Sequence, residues 1–205
     1  MKKKEQKDSP RVERKKEQTR EKIITIAMDL FRNQGVSGTT MEQIAREVDI
    51  AKGTLYNYFP VKEAIIDEHI KRTFGKQNSD RISQLRQLPD TRSRIIMLFT
   101  QLIKGIVSQK EIFEKYLVYR IQSMISFHQE DSKKSGLYLV TRDIIETGQK
   151  SGELREDLPA SILEEFIEFA FIEIVKHLYM NPETFESDKI IEKCADLFLN
   201  GAKKL

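Results

Sequence analysis

Thr39-Thr40-Met41-Glu42-Gln43-Ile44-Ala45-Arg46-Glu47-Val48-Asp49-Ile50-Ala51-Lys52-Gly53-Thr54-Leu55-Tyr56-Asn57-Tyr58-Phe59-Pro60-Val61-Lys62 is the stretch that decides the fold. Thr40 is placed to cap a helix, with Gln43 at the capping-box position. Met41, Ile44, Ala45 and Val48 recur at helical spacing and mark one apolar stripe. Asp49 tolerates the left-handed backbone that ends a helix, and Asp49-Ile50-Ala51 reads as a tight turn. A second helix is expected from about Lys52 to Phe59, stopped by Pro60. It should bury Leu55 and Phe59 and expose Thr54, Tyr56, Asn57 and Tyr58. Two short helices around a turn, the second with an exposed polar face, have the shape of a helix-turn-helix reading head.

Upstream, Ile23, Ala27, Leu30 and Phe31 form an amphipathic stripe, and Gly35 is available to terminate that helix. Three short helices around a small apolar core make a compact head. Gly53 falls in the first turn of the second reading helix, where a missing side chain lets backbone N–H groups approach a phosphate.

Thr19-Arg20-Glu21-Lys22-Ile23-Ile24, then Ala27, Leu30-Phe31 and Gly35, followed by Thr40, Ile44-Ala45 and the run from Lys52 to Glu63, resemble TetR-family (tetracycline-repressor-like) regulators. The resemblance covers residues 19 to about 70. It departs at Ala51, where members often carry serine, and at Asp49, which replaces a small turn residue. Alanine cannot cap, so about 1 kcal/mol of capping and one phosphate contact are lost. The resemblance implies an all-α protein with an N-terminal helix-turn-helix head and a helical ligand-binding and dimerisation body. The domains expected are a basic flexible tail at 1–18, a DNA-binding domain at 19–65 and a body at 66–205.

The net charge of +3 is uneven. Residues 1–62 hold 14 Lys/Arg against 9 Asp/Glu, and the remainder hold 21 against 23. A basic front on a near-neutral body suits nucleic-acid contact at one end. The lysines near the start are not followed by an apolar run, so they do not read as a signal peptide. No stretch is apolar enough to span a bilayer. Cys194 is the single cysteine, so no internal disulfide forms, which fits a reducing cytoplasm.

After Pro60 the patterns are helical, with helices expected near 61–88, 91–107, 109–128, 132–150, 159–180 and 187–203. Pro89-Asp90 breaks the first from the second, and Ser108 with Glu111 makes a capping box for the third. Pro159 opens the fifth, Asn181-Pro182 closes it, and Ser187 can cap the sixth. The last two are apolar on more than one side, so each must be buried on more than one side. Phe166, Phe169, Ala170, Ile174, Ile191, Ala195 and Phe198 are expected at a homodimer interface, which the family builds from its last two helices.

No catalytic, cofactor or metal motif stands out. His69, His128 and His177 lie far apart, and His128 with Glu130 and Asp131 reads as a charged helix end. The family's middle helices surround an effector pocket, for which Phe74, Met97, Phe113, Tyr116, Tyr119, Met124, Phe127 and Phe166 are the candidates, each also readable as plain core. The expectation is a cytoplasmic transcriptional regulator, a repressor, that binds a palindromic operator as a homodimer and is released by a small molecule. Thr40, Lys52, Gly53, Thr54, Tyr56, Asn57, Tyr58 and Lys62 are the expected DNA contacts. The competing reading is a helical protein-interaction module that keeps the head without binding an operator.

Overall fold

The computed structural model describes residues 10–124 and 136–202, and among these there is no strand. The elements are α1 (Pro10–Gln34), α2 (Met41–Val48), α3 (Lys52–Tyr58), α4 (Lys62–Arg86), α5 (Thr91–Ser108), α6 (Lys110–Met124), α7 (Tyr138–Lys150), α8 (Ala160–Met180) and α9 (Ser187–Ala202).

Helix α1 starts at Pro10, so residues 10–18 are helical where a tail was expected. Proline suits a first helical position, where its missing N–H has no partner to lose. The added turns are also anchored. Glu17 pairs with Arg72 of α4 at 2.5 Å, and the Arg72 Nε holds Glu68 at 2.7 Å. Ile23, Ile24, Ala27, Met28 and Phe31 are the buried face, and Leu30 is only half-buried. Gly35 adopts φ 80°, and its N–H closes on the carbonyl of Phe31 at 3.0 Å.

Thr40 caps α2 as expected, its Oγ1 accepting the Gln43 N–H at 3.1 Å. Only that half of the capping box forms, because the Gln43 side chain bonds Gln34 instead. Asp49 takes the left-handed conformation (φ 61°, ψ 52°), and the N–H groups of Asp49 and Ile50 return to Arg46 and Ala45. Lys22 satisfies another terminal carbonyl, that of Val48, at 2.7 Å.

With seven residues and no side-chain cap at Ala51, α3 is too short to hold on propensity alone. Tertiary packing holds it, through Leu55 at 0% exposure and Phe59 at 3%. The head core does not close at residue 65. It joins Ile23, Ala27, Phe31, Ile44, Val48, Leu55 and Phe59 to Ile66 and Ile70 of α4 and to Ile112 and Tyr116 of α6.

In the body, α5 packs on α9, α7 on α8, α4 on α6 and α8 on α9. Leu85 of α4, Ile95, Leu98 and Phe99 of α5, Ile144 of α7, Ile167, Phe171 and Ile174 of α8, and Ile191 of α9 share one core. Helix α4 thus reaches from the head core to the body core. Asp90 caps α5, accepting the Ser93 N–H at 2.7 Å. Ser108 does not cap α6. It remains in α5 and donates to the Gly105 carbonyl at 2.7 Å, which leaves Glu111 for another partner. Pro159 is the cap position of α8, and Ser187 is the first residue of α9 rather than its cap.

Candidate nucleic-acid interface

The exposed surface of the head includes the polar side of α3 and the start of α2. Lys52, Gly53, Thr54, Tyr56 and Asn57 are exposed, with Tyr56 at 40%. Gly53 lies at the second position of α3, and a Cβ added there meets nothing within 4 Å. No other part of the chain therefore requires glycine at 53. Thr40 is also exposed, but its hydroxyl oxygen is already the α2 cap.

Three expected contacts are placed differently. Tyr58 is half-buried against the head core, with the Arg20 guanidinium 6.0 Å from its ring centre, because the C-terminal turn of α3 leans on α1. Lys62 is half-buried and its Nζ donates to the carbonyls of Val36 and Thr39, both at 2.7 Å. Two of its three donors are thereby committed to the turn between α1 and α2. Lys52 is exposed but bonded to Glu42 of α2, with its ammonium 5.8 Å from the Tyr56 ring centre. The bond to Glu42 raises the Lys52 pKa, and the bond to Lys52 lowers that of Glu42. Lys52 is charged in this arrangement and keeps further N–H donors with which to take a phosphate beside Glu42.

The candidate pocket residues divide into groups. Phe113 and Tyr116 meet edge to face, with ring centres 6.3 Å apart, and Phe74 and Phe113 pack against both cores. Tyr116 borders a small cleft of about 40 Å³ with Leu117, Arg120, Leu137, Glu168, Phe171 and Ile172. Tyr119 is half-buried nearby, and burial pushes the hydroxyl pKa of both tyrosines up. Met97 is exposed on α5, and Phe166 is exposed on α8, away from the cleft, because each falls on the outward face of its helix. The Met124 side chain and all of Phe127 lie outside the described residues, as do His128, Glu130 and Asp131. Among the described residues no group could hold a metal ion, and no helix is long and apolar enough to cross a membrane.

A larger apolar groove, about 550 Å³, runs between α8 and α9. Phe166, Phe169, Ala170 and Phe198 line it, together with Leu197, which is 77% exposed. Ile174, Ile191 and Ala195 do not belong to this face. They are buried within the chain's own core, since α8 and α9 turn those positions inward.

Residues 23–68 match the family described as bacterial regulatory proteins, tetR family. Over 60 residues the chain is 38% identical to the Biofilm operon icaADBC HTH-type negative transcriptional regulator IcaR of Staphylococcus aureus, a match spanning 29% of this chain and 32% of that protein. It is 21% identical over 180 residues to the fatty acid metabolism regulator protein of Bacillus subtilis, covering 87% of this chain and 93% of that one. The crystal structure of Thermus thermophilus FadR, a TetR-family transcriptional repressor in complex with lauroyl-CoA, shares the fold with a TM-score of 0.70. That likeness has 22% identity over 89% of this chain and 94% of the other. The head at residues 23–68 thus matches the tetR family in sequence, and the chain as a whole shares the fold of a tetR-family structure.

Proposed function

We propose that the protein represses transcription by binding a palindromic operator as a homodimer, and that a small molecule bound in the body releases it. The observation that carries this reading is the face of α3. A seven-residue helix presents Lys52, Thr54, Tyr56 and Asn57 outward, with an unobstructed glycine among them, while Leu55 and Phe59 lock it to the core. Asn57 can read an adenine edge, and Lys52, Thr54, Tyr56 and the Gly53 backbone can take phosphates. Thr40 and Lys62 act beside them, Lys62 chiefly by holding the α1–α2 turn. The division into a head at 19–65 and a body at 66–205 describes the roles, although α6 contributes to both cores.

Two heads are needed to read two half-sites. The groove between α8 and α9 supports the partner being a second copy. It is apolar, and the exposed faces of Phe166 and Phe169 leave large hydrocarbon surfaces in water unless covered. The body cleft supports a small effector that opens it. A cleft of about 40 Å³ is closed to drug-sized ligands, which occupy ~300–1,000 Å³, so binding must separate α6 from α8.

The deciding experiment is DNA binding as a function of salt, on a duplex selected from random sequences by the protein. If each subunit contacts about four phosphates, the dimer's log–log salt slope should be on the order of −7. Tyr56→Ala should weaken binding and leave the melting temperature nearly unchanged. Selection that recovers no duplex, or binding indifferent to salt, would overturn the reading and favour a protein-interaction role for the head.

A further inference from the structure

The head is joined to the body covalently only where α3 passes through Phe59, Pro60 and Val61 into α4. Besides the apolar packing of α6 on the head core, a polar junction is made through space, on one peptide unit of the turn between α1 and α2. The Val36 carbonyl accepts from the Lys62 Nζ at 2.7 Å. The N–H of the next residue, Ser37, donates to the Glu111 Oε1 at 3.0 Å. These two groups are the ends of a single planar amide. A cation at its oxygen and an anion at its hydrogen polarise it in the same sense, so each bond strengthens the other. The cation is the first residue of α4 and the anion the second residue of α6.

The surroundings fit that junction. Lys62 also holds the Thr39 carbonyl, so one ammonium spans the turn. A Cβ at Gly35 would lie 3.0 Å from the Glu111 Oε2, so a side chain there would press on the carboxylate. Helix α6 belongs to both parts of the molecule. Its Ile112 and Tyr116 are buried in the head core, while Tyr116, Leu117 and Arg120 border the body cleft. The start of α6 is fixed to the body by the Tyr179 hydroxyl of α8, which donates to the Lys110 carbonyl at 2.6 Å.

We propose that the Val36–Ser37 peptide is where the body sets the pose of the reading head, and that Glu111 is a positioning residue for DNA binding. The clamp closes at one separation of the starts of α4 and α6. Movement of α6 against α4 opens it and frees the turn that leads into the Thr40 cap. Apolar packing of Ile112 and Tyr116 already seats α6 on the head core, and the clamp adds a directional polar contact that fixes the turn leading into the Thr40 cap.

The clamp itself is tested without DNA, by amide exchange at Ser37 measured by NMR in the full chain. Glu111→Ala should speed that exchange on the order of tenfold, and Glu111→Gln, which keeps an acceptor, should restore part of the protection. Lys62→Met should also speed it, and the double variant should be less affected than the two single effects combined. Unchanged exchange in Glu111→Ala, or fully independent effects, would overturn the clamp. Its role in DNA binding rests on the repressor reading and is tested on the selected duplex. Removing a negative charge should by itself tighten binding to DNA. The clamp gives the opposite sign: Glu111→Ala should weaken binding severalfold with an unchanged salt slope, and Glu111→Gln should recover most of the loss. Equal or tighter binding by Glu111→Ala would overturn the positioning role. If the unmodified protein selects no duplex, the repressor reading fails by itself, while Ser37 exchange still decides the clamp.

Discussion

Gly53→Ala should move stability and DNA binding in opposite directions. Gly53 is the second residue of α3 and has helical company on both sides. A methyl group there meets no atom within 4 Å beyond its own helical turn, so alanine, which fits any α-helix, has no steric cost. It removes backbone freedom from the unfolded chain and raises helix propensity, which stabilises the protein by about 0.5–1 kcal/mol. For a chain of this size that is ~1–4 °C in melting temperature. At the DNA surface the same methyl group would stand between the first-turn N–H groups and a phosphate. Loss of one charge-assisted hydrogen bond costs about 1.5–3 kcal/mol, or roughly 10- to 100-fold in affinity per head. Calorimetry and fluorescence anisotropy with the selected duplex measure the two effects on one sample. A variant that melts higher and binds as tightly as the parent would refute close approach of DNA to α3. A variant that melts lower would refute the open helical geometry at Gly53.

Other perturbations separate the head from the body. Leu55→Ala empties a fully buried site and should cost about 2–5 kcal/mol, so binding should be lost while helical circular dichroism from the body persists. Phe169→Asp places a charge in the groove between α8 and α9, and sedimentation should show monomers where the parent sediments as a dimer. A parent that sediments as a folded monomer at micromolar concentration would count against the dimer. His69 has a lowered pKa, first through burial and then through Arg32 and Lys76. The folded state therefore binds that proton less well than the unfolded state, and stability should fall as pH drops below 6.5. His69→Gln should flatten that part of the melting profile, and an unchanged profile would show that His69 does not govern it.

Chain-local chemistry accounts for what was readable from the sequence. Thr40, Asp49, Gly35 and Pro60 act on the residues beside them, and the stops and starts they predict are found in the structure. Helical periodicity placed Leu55 and Phe59 inside and located α4, α5, α8 and α9 to within a few residues, because a 3.6-residue repeat shows which side chains share a stripe; the expected end at 128 and start at 132 lie outside the described residues, and α7 is described from Tyr138. It does not show what the stripe faces. Ile174, Ile191 and Ala195 read together with Phe166 and Phe169 in the sequence, but the packing of α8 on α9 and of α5 on α9 turns the first three into the chain's own core. The same limit scattered the pocket candidates, leaving Met97 on the outside and Tyr116 within.

The sequence by itself determined the tetR-like head, the all-α class and the short reading helix, since these follow from the order and spacing of residues close together in the chain. Only the tertiary structure decided the partners of the long charged side chains. Lys62 reaches carbonyls 26 and 23 residues away, and Glu111 reaches an amide 74 residues away. A capping-box spacing predicted Glu111 as a local helix-capping residue, yet its carboxylate holds the head. Local propensity offers such a side chain several partners of similar strength. The three-dimensional path of the backbone decides which one lies within 3 Å.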